Sequence, residues 1–286
     1  MDLAALILAG SVASPTGPGL HFVDVGQGGA LLLLGSEGHA AVVDSGPPGA
    51  AEAVIAALAA HDVVRVDLWV HTHFDADHVG GFARVVAGAD GAAGTADDVE
   101  LGELWDRGLA DAPATAAVDA YVAAAGNLRR AAAAGDRWQA PGLEILAVAT
   151  GAAEAAAENA RGLALCVRVG DRSALLPGDL PAAQAAESAA ACGPVDVLWL
   201  PHHGGADGTS EALLAAADPA LVVISAGRDN PYCHPAAVTL ARLRERAVWI
   251  SGLAGAGPLG PCTPLATVFA PDHRVLPGDL WLPAQP

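Results

Sequence analysis

Lysine is absent from this 286-residue chain, so all 14 basic residues are arginine, set against 32 acids for a formal net charge of −18. Such a surface repels a phosphate backbone, which excludes non-specific nucleic-acid binding through a basic face unless bound cations supply the positive charge. The same acidity suits a cation-binding protein or plain solubility. Also missing is any run of about eighteen strongly apolar residues, so no membrane-spanning helix is expected; the hydrophobic fraction of 53% owes much to alanine. The four cysteines, Cys166, Cys192, Cys233 and Cys262, lack C-x-x-C spacing, which excludes a zinc knuckle. Buried free thiols are the default expectation, with a Cys233–Cys262 disulfide as the alternative in an oxidising compartment. The N-terminus lacks the basic residues of a secretion signal, since Asp2 stands where they belong, yet an apolar core and small-residue tail follow. Residues 1–19 therefore read as a leader or signal segment, with export and a cytoplasmic location both open.

Short β-runs open the chain: 21–25, then 30–35 after the turn Gly26-Gln27-Gly28-Gly29, then 40–46. A helix over Ala51–Ala60 and a strand over 66–71 come next, then a helix over Val79–Val86 and a strand over Leu101–Asp106. An Ala-rich helix over Ala114–Ala125 is expected to continue to Ala134. The second half offers strands at 143–150, 162–170, 172–179, 196–201, 220–225, 247–251 and 266–270, with helices near Pro181–Ala191, Ser210–Ala217 and His234–Glu245. No Pro/Gly-rich linker divides the halves. Two sheets flanked by helices fit this order better than one doubly wound sheet, and residues 20–286 are expected to form one domain. Asp90, Asp97 and Asp98 lie on a Gly-rich stretch without the ligand spacing of an EF-hand, and read as a solvated loop.

The chemistry concentrates in His71-Thr72-His73-Phe74-Asp75-Ala76-Asp77-His78, where five metal-capable side chains fall within eight residues directly after an apolar strand. Packing does not explain such density, because the carboxylates repel and desolvate one another unless cations lie between them. Two further clusters, Gly178-Asp179 and His202-His203, also sit where strands run out, the usual place for residues gathered into one site.

Taken in order, HFVDVGQGGALLL, VVDSG, HTHFDADHVGG, ENARGLALCVRVGDRSALLPGDL, LWLPHHGG and NPYCHP resemble the metallo-β-lactamase-like domain of ComEC-type DNA-uptake competence proteins, over about Leu20 to Ala270. The resemblance implies an α/β fold, the four-layer αββα metallo-β-lactamase sandwich, and a hydrolase that activates water with two divalent ions, zinc or manganese. The superfamily pattern H-x-H-x-D-H fits best from His73, with Asp75 replacing the second histidine. His73 and Asp75 would then serve one metal, Asp77, His78 and His203 the other, and Asp179 would bridge. Asp77 also counts as catalytic, and His234, in the late His-Pro pair, would donate a proton to the leaving group. Asp44, His71, Asn159 and His202 are expected as supporting or alternative ligands, Asn159 standing near the place of an unmatched third histidine. An aspartate in place of histidine hardens the first site toward oxygen ligation, which also admits magnesium or iron.

The resemblance points to phosphodiester substrates, small or nucleic-acid, with association with an envelope complex as a further expectation. Two departures weigh against simple transfer of nuclease activity: the family's GQGD reads with Gly29 in the last place, and the residues after the His pair are Gly205-Ala206-Asp207. The resemblance does not extend to the membrane channel of full-length competence proteins, so DNA import by this chain alone is not expected. A lactone or β-lactam hydrolase and a catalytically silent metal-binding accessory module are the alternatives.

Overall fold

The computed structural model describes residues 17–151, 157–228, 230–251, 273–275 and 278–285. The leader up to residue 16, the strand expected at 266–270, and Cys262 lie outside the described residues.

Two sheets face each other. The first runs in the order β15-β1-β2-β3-β4-β5-β6, built from β1 (Gly19–Phe22), β2 (Leu31–Leu34), β3 (Ala40–Val43), β4 (Arg65–Val70), β5 (Glu100–Asp106), β6 (Arg129–Ala131) and β15 (Leu280–Pro283). The second runs β14-β13-β12-β11-β10-β9-β8-β7, from β7 (Arg137–Ala140), β8 (Leu143–Thr150), β9 (Leu163–Val169), β10 (Arg172–Leu176), β11 (Val197–Trp199), β12 (Leu221–Ser225), β13 (Val248–Ser251) and β14 (His273–Val275). Each sheet joins an antiparallel meander to a parallel half: β3 through β6 run parallel in the first, β10 through β14 in the second.

The continuous apolar runs of these strands follow from burial on both faces. Leu31, Leu33, Val43, Leu68 and Val70 meet Leu165, Leu176, Val197 and Val223 between the sheets. Their neighbours Leu32, Val42, Trp69 and Leu104 point the other way, onto helices α1 (Ala51–Ala60), α2 (Ala76–Val79), α3 (Phe82–Val86) and α4 (Ala116–Ala125). Leu175, Leu198, Val222 and Ile224 do the same beneath α5 (Ala182–Cys192), α6 (Glu211–Ala217) and α7 (Ala237–Arg242). The result is the four-layer αββα sandwich that the resemblance implies.

Several local expectations need correction. The Ala-rich helix stops at Ala125 because Gly126 turns to φ 54°, and the chain beyond it enters the sheet edge as β6, where Arg129 pairs with the fully buried Asp106. The helix expected over Val79–Val86 is two short helices broken at Gly80-Gly81, and the one expected from His234 begins only at Ala237. The described cysteines are not free thiols: Cys166 on β9 is bonded to Cys192 at the end of α5, with their Cα atoms 5.8 Å apart, and Cys233 is also disulfide-bonded. Asp90, Asp97 and Asp98 are exposed or partly so and bond the backbone of their own loop. No helix among the described residues is long and apolar enough to cross a membrane.

Candidate metal centre

Parallel strands deliver their following loops to one edge, and ligands in α/β proteins gather in the crevice outside those carboxyl ends. Here β3 leads into Asp44, β4 into His71–His78, β10 into Gly178-Asp179, β11 into His202-His203, and β12 ends at Ser225. Residues far apart in the chain therefore share one crevice. Gly178 takes φ +58°, and a Cβ there would press on Thr72 at 3.0 Å. Gly28 is held just as tightly, because a Cβ would fall 2.3 Å from the carbonyl oxygen of Asp77, so the GQGG turn buttresses the helix that carries Asp77 and His78.

Two groups of side chains, His73–His78–Asp179 and Asp77–His78–His203, each bring their ligand atoms within 4.8 Å of one another. Asp179 faces both groups: its Oδ1 is 3.4 Å from His78 Nε2, and its Oδ2 is 3.4 Å from His203 Nε2 and 3.9 Å from His73 Nε2. Asp77 Oδ2 lies 3.3 Å from His203 Nε2. Asp75 is more open, with its side chain 42% exposed and its Oδ2 3.6 Å from His73 Nε2.

The donor set fits divalent cations. His78 Nδ1 donates to Asp44 Oδ2 at 2.8 Å, and His203 Nδ1 donates to the carbonyl of Ser225 at 2.8 Å. Both rings therefore turn Nε2 inward, and the two Nε2 atoms meet at 3.1 Å. Two imidazole lone pairs at that distance repel unless a proton or a cation lies between them. His73 Nε2 is buried without a hydrogen-bond partner, which is costly for a nitrogen that binds nothing. Asp44 also accepts from the Thr72 amide and hydroxyl, both at 2.8 Å, so one buried carboxylate sets the loop and the tautomer of His78 together.

Without cations, protons supply the positive charge. Burial works against charge on all four groups, yet Asp179 and Asp44 raise His78 well above an ordinary histidine. His203 likewise rises to about 9 on the field of Asp179. In return His203 and His78 hold Asp77 and Asp179 well below the carboxylate range.

His202, directly beside His203, turns elsewhere. Its Nδ1 meets Asp207 Oδ1 at 2.9 Å and its Nε2 lies 3.3 Å from the Asn159 amide nitrogen. Asn159 thus reaches the rim of the crevice through His202. His234 sits at the same rim, its ring 5.0 Å from His202 and 6.3 Å from His203. Burial and those two histidines push it down to about 4, so at neutral pH its imidazole is uncharged. His71 faces the outer helices, packed against Phe82 and Tyr121 and 3.9 Å from Asp44.

Sequence reasoning missed one support. Arg107 donates twice to Glu158, at 2.6 and 2.5 Å, in a pair whose side chains are only 4% and 10% exposed. Glu158 Oε1 also accepts from the Phe74 amide at 2.9 Å, while the guanidinium lies over the Phe74 ring. The loop between His73 and Asp75 is therefore clamped from the side. The only signal was the carboxylate preceding Asn159 in the ENARG segment.

A two-sheet sandwich with a His/Asp crevice at its strand ends defines a class of metal-site proteins, and sequence comparison narrows it. Residues 23–228 match the model of the metallo-beta-lactamase superfamily, and the chain belongs to that superfamily, whose members are generally hydrolases. Recombination protein 2 of Haemophilus influenzae is 27% identical over 227 residues, covering 78% of this chain and 26% of the relative. Competence protein ComA of Neisseria gonorrhoeae is 28% identical over 255 residues, covering 86% and 33%. The chain thus spans a quarter to a third of the length of these relatives, in keeping with a ComEC-type metallo-β-lactamase-like domain. Among solved structures, CmlA, a diiron beta-hydroxylase from Streptomyces venezuelae, superposes with a TM-score of 0.51 at 16% identity, over 80% of this chain and 51% of CmlA, a likeness of fold alone.

Proposed function

We propose that this chain is a metal-dependent phosphodiesterase whose two divalent cations are held by His73 and Asp75 on one side, by Asp77, His78 and His203 on the other, and by Asp179 between them. The observation that carries this reading is the pair of ligand groups meeting at His78, with Asp179 turned to both. A bound cation pair lowers the pKa of water and neutralises the oxygens of a phosphodiester, which suits in-line hydrolysis at neutral pH.

The chain's own residues set the rest. Asp44 and the Ser225 carbonyl fix the two inward-facing Nε2 atoms, so little reorganisation accompanies binding. The Arg107–Glu158 clamp holds the His73–Asp75 loop. Neutral His234 stands where it can take or return a proton at the rim. The competence relatives motivate a phosphodiester and an envelope assembly as the setting for this activity.

The test is a salt series at fixed metal concentration with a small activated diester, duplex DNA, a lactone and a β-lactam, using His203→Ala as blank. A chain of net charge −18 without lysine meets a small diester through the cations alone, whereas a duplex must approach against long-range repulsion. Diester turnover is expected to stay level with added salt while any DNA cleavage holds or rises. DNA cleavage that collapses with salt refutes the electrostatic argument. Inactivity on diesters at full metal loading favours the accessory-module reading, to which Gly29 already points: a Cβ there would stand only 3.2 Å from His78 Nδ1, leaving no easy room for the family's carboxylate.

A further inference from the structure

Three rings climb out of the metal crevice. His203 is buried; His234 lies 6.3 Å from it at an interplanar angle of 26°; Tyr232 lies 5.8 Å beyond at 33°. At the outer end Tyr232 is 65% exposed, whereas Tyr121, the other tyrosine, is fully buried. Among the described residues Tyr232 is the one aromatic side chain counted with the exposed large hydrophobics.

The loop that carries it is braced by a neighbouring side chain. Asn230 spans the loop, accepting from the His234 amide at 2.9 Å and donating to the His234 carbonyl at 2.8 Å and to the carbonyl of Gly227. Cys233, next to Tyr232, is tied into a disulfide. A flat apolar face offered to solvent on a braced loop loses little conformational entropy when something lies on it.

Charge indicates what that something is. With net charge −18 and no lysine, long-range attraction contributes little to holding a phosphate ester, so affinity beyond the cations has to come from short-range, uncharged contacts. Stacking on an aromatic ring is such a contact, and it is tolerant of base identity.

We propose that Tyr232 is a stacking platform for a nucleobase, so that the site takes nucleotide-type phosphodiesters, with the base on Tyr232 and the phosphate in the crevice below His234. This rests on the phosphodiesterase reading and narrows its substrate class.

The experiment uses the metal-loaded full chain and its Tyr232→Ala and Tyr232→Phe variants. Calorimetry measures binding of adenosine 5′-monophosphate and of inorganic phosphate, and turnover compares thymidine 5′-(4-nitrophenyl) phosphate with methyl 4-nitrophenyl phosphate, which share a leaving group. The wild type is expected to prefer the nucleotide over phosphate by about ten-fold or more; Tyr232→Ala removes most of that preference, Tyr232→Phe keeps it, and phosphate affinity moves by less than about two-fold. The ratio of the two kcat/KM values falls with it, chiefly through KM. Equal binding of nucleotide and phosphate by the wild type, or a preference that survives in Tyr232→Ala, overturns the platform. An equal loss for phosphate assigns Tyr232 a structural role and overturns it too. Should neither diester turn over, the hydrolytic reading fails while the binding comparison still decides the platform.

Discussion

Asp44→Asn isolates the contact on which the inner geometry depends. Asp44 is fully buried and takes φ 60°, a conformation that asparagine tolerates, so the backbone can keep its shape. The carboxylate accepts three hydrogen bonds, from the Thr72 amide, the Thr72 hydroxyl and His78 Nδ1, each at 2.8 Å. An amide can still accept from the Thr72 amide, and the Thr72 hydroxyl can turn its hydrogen toward His73 Nδ1, 3.1 Å away, and accept from the new NH2, but that NH2 confronts His78 Nδ1–H, donor against donor. His78 loses the partner that keeps Nε2 facing the crevice. Outer partners of this kind are worth about 10–100-fold in metal affinity, that is roughly 1.4–2.7 kcal/mol, and a buried donor left unsatisfied costs about 1–3 kcal/mol of stability besides. Chelator competition measures the first and urea denaturation of the metal-free protein the second. Metal affinity within about three-fold of wild type, in a folded Asp44→Asn protein, would refute the argument that Asp44 orients His78.

Other consequences can be checked in parallel. Glu158→Ala strands the buried Arg107 and is expected to cost about 3–5 kcal/mol in a denaturant titration, with much of it recovered in Glu158→Ala/Arg107→Met; additive losses would contradict the pairing. Asp75→His should shift the metal preference from manganese toward zinc in a competition titration, because a soft nitrogen replaces a hard oxygen; an unchanged ratio argues that Asp75 does not ligate. In the metal-free protein His203, raised to about 9, adds stability that is complete below pH 6.5 and is lost as pH climbs through 9. His71, pushed down to about 4 by burial, adds stability that is present above pH 6.5 and lost as pH falls through 4. A melting temperature highest near pH 6.5 is therefore expected, with its alkaline decline abolished by metal; a profile flat from pH 6.5 to 9 would contradict the proton-filled crevice.

Much of the crevice could be read in the sequence because its chemistry is local. His73, Asp75, Asp77 and His78 crowd one strand end, and a polar run after an apolar strand has few structural explanations. Asp179 and the His202-His203 pair stood out because each follows a strand, but only the family resemblance singled out His203 over His202 and gave Asp179 its place. What escaped depended on long-range pairing. Arg107 and Glu158 are 51 residues apart, and nothing near either forecasts the pair. Asp207 stood out only as a departure after the His pair, and nothing there forecasts that His202 turns onto it. Composition misled between Gly126 and Ala134, where alanine favours a helix but Gly126 ends it and Asp106 draws Arg129 into the sheet. Cys166 and Cys192 meet only because β9 and α5 pack together.

Elemental analysis of the purified chain, after reconstitution with manganese or zinc and removal of free ions, tests the central claim most directly. About two ions per chain are expected in the wild type, a marked loss in Asp77→Ala and His203→Ala, and circular dichroism unchanged by either substitution, since both side chains lie in the segments that follow β4 and β11, outside the apolar clusters of the sandwich. A wild type that retains no metal and takes up none on titration, while remaining folded, would contradict it.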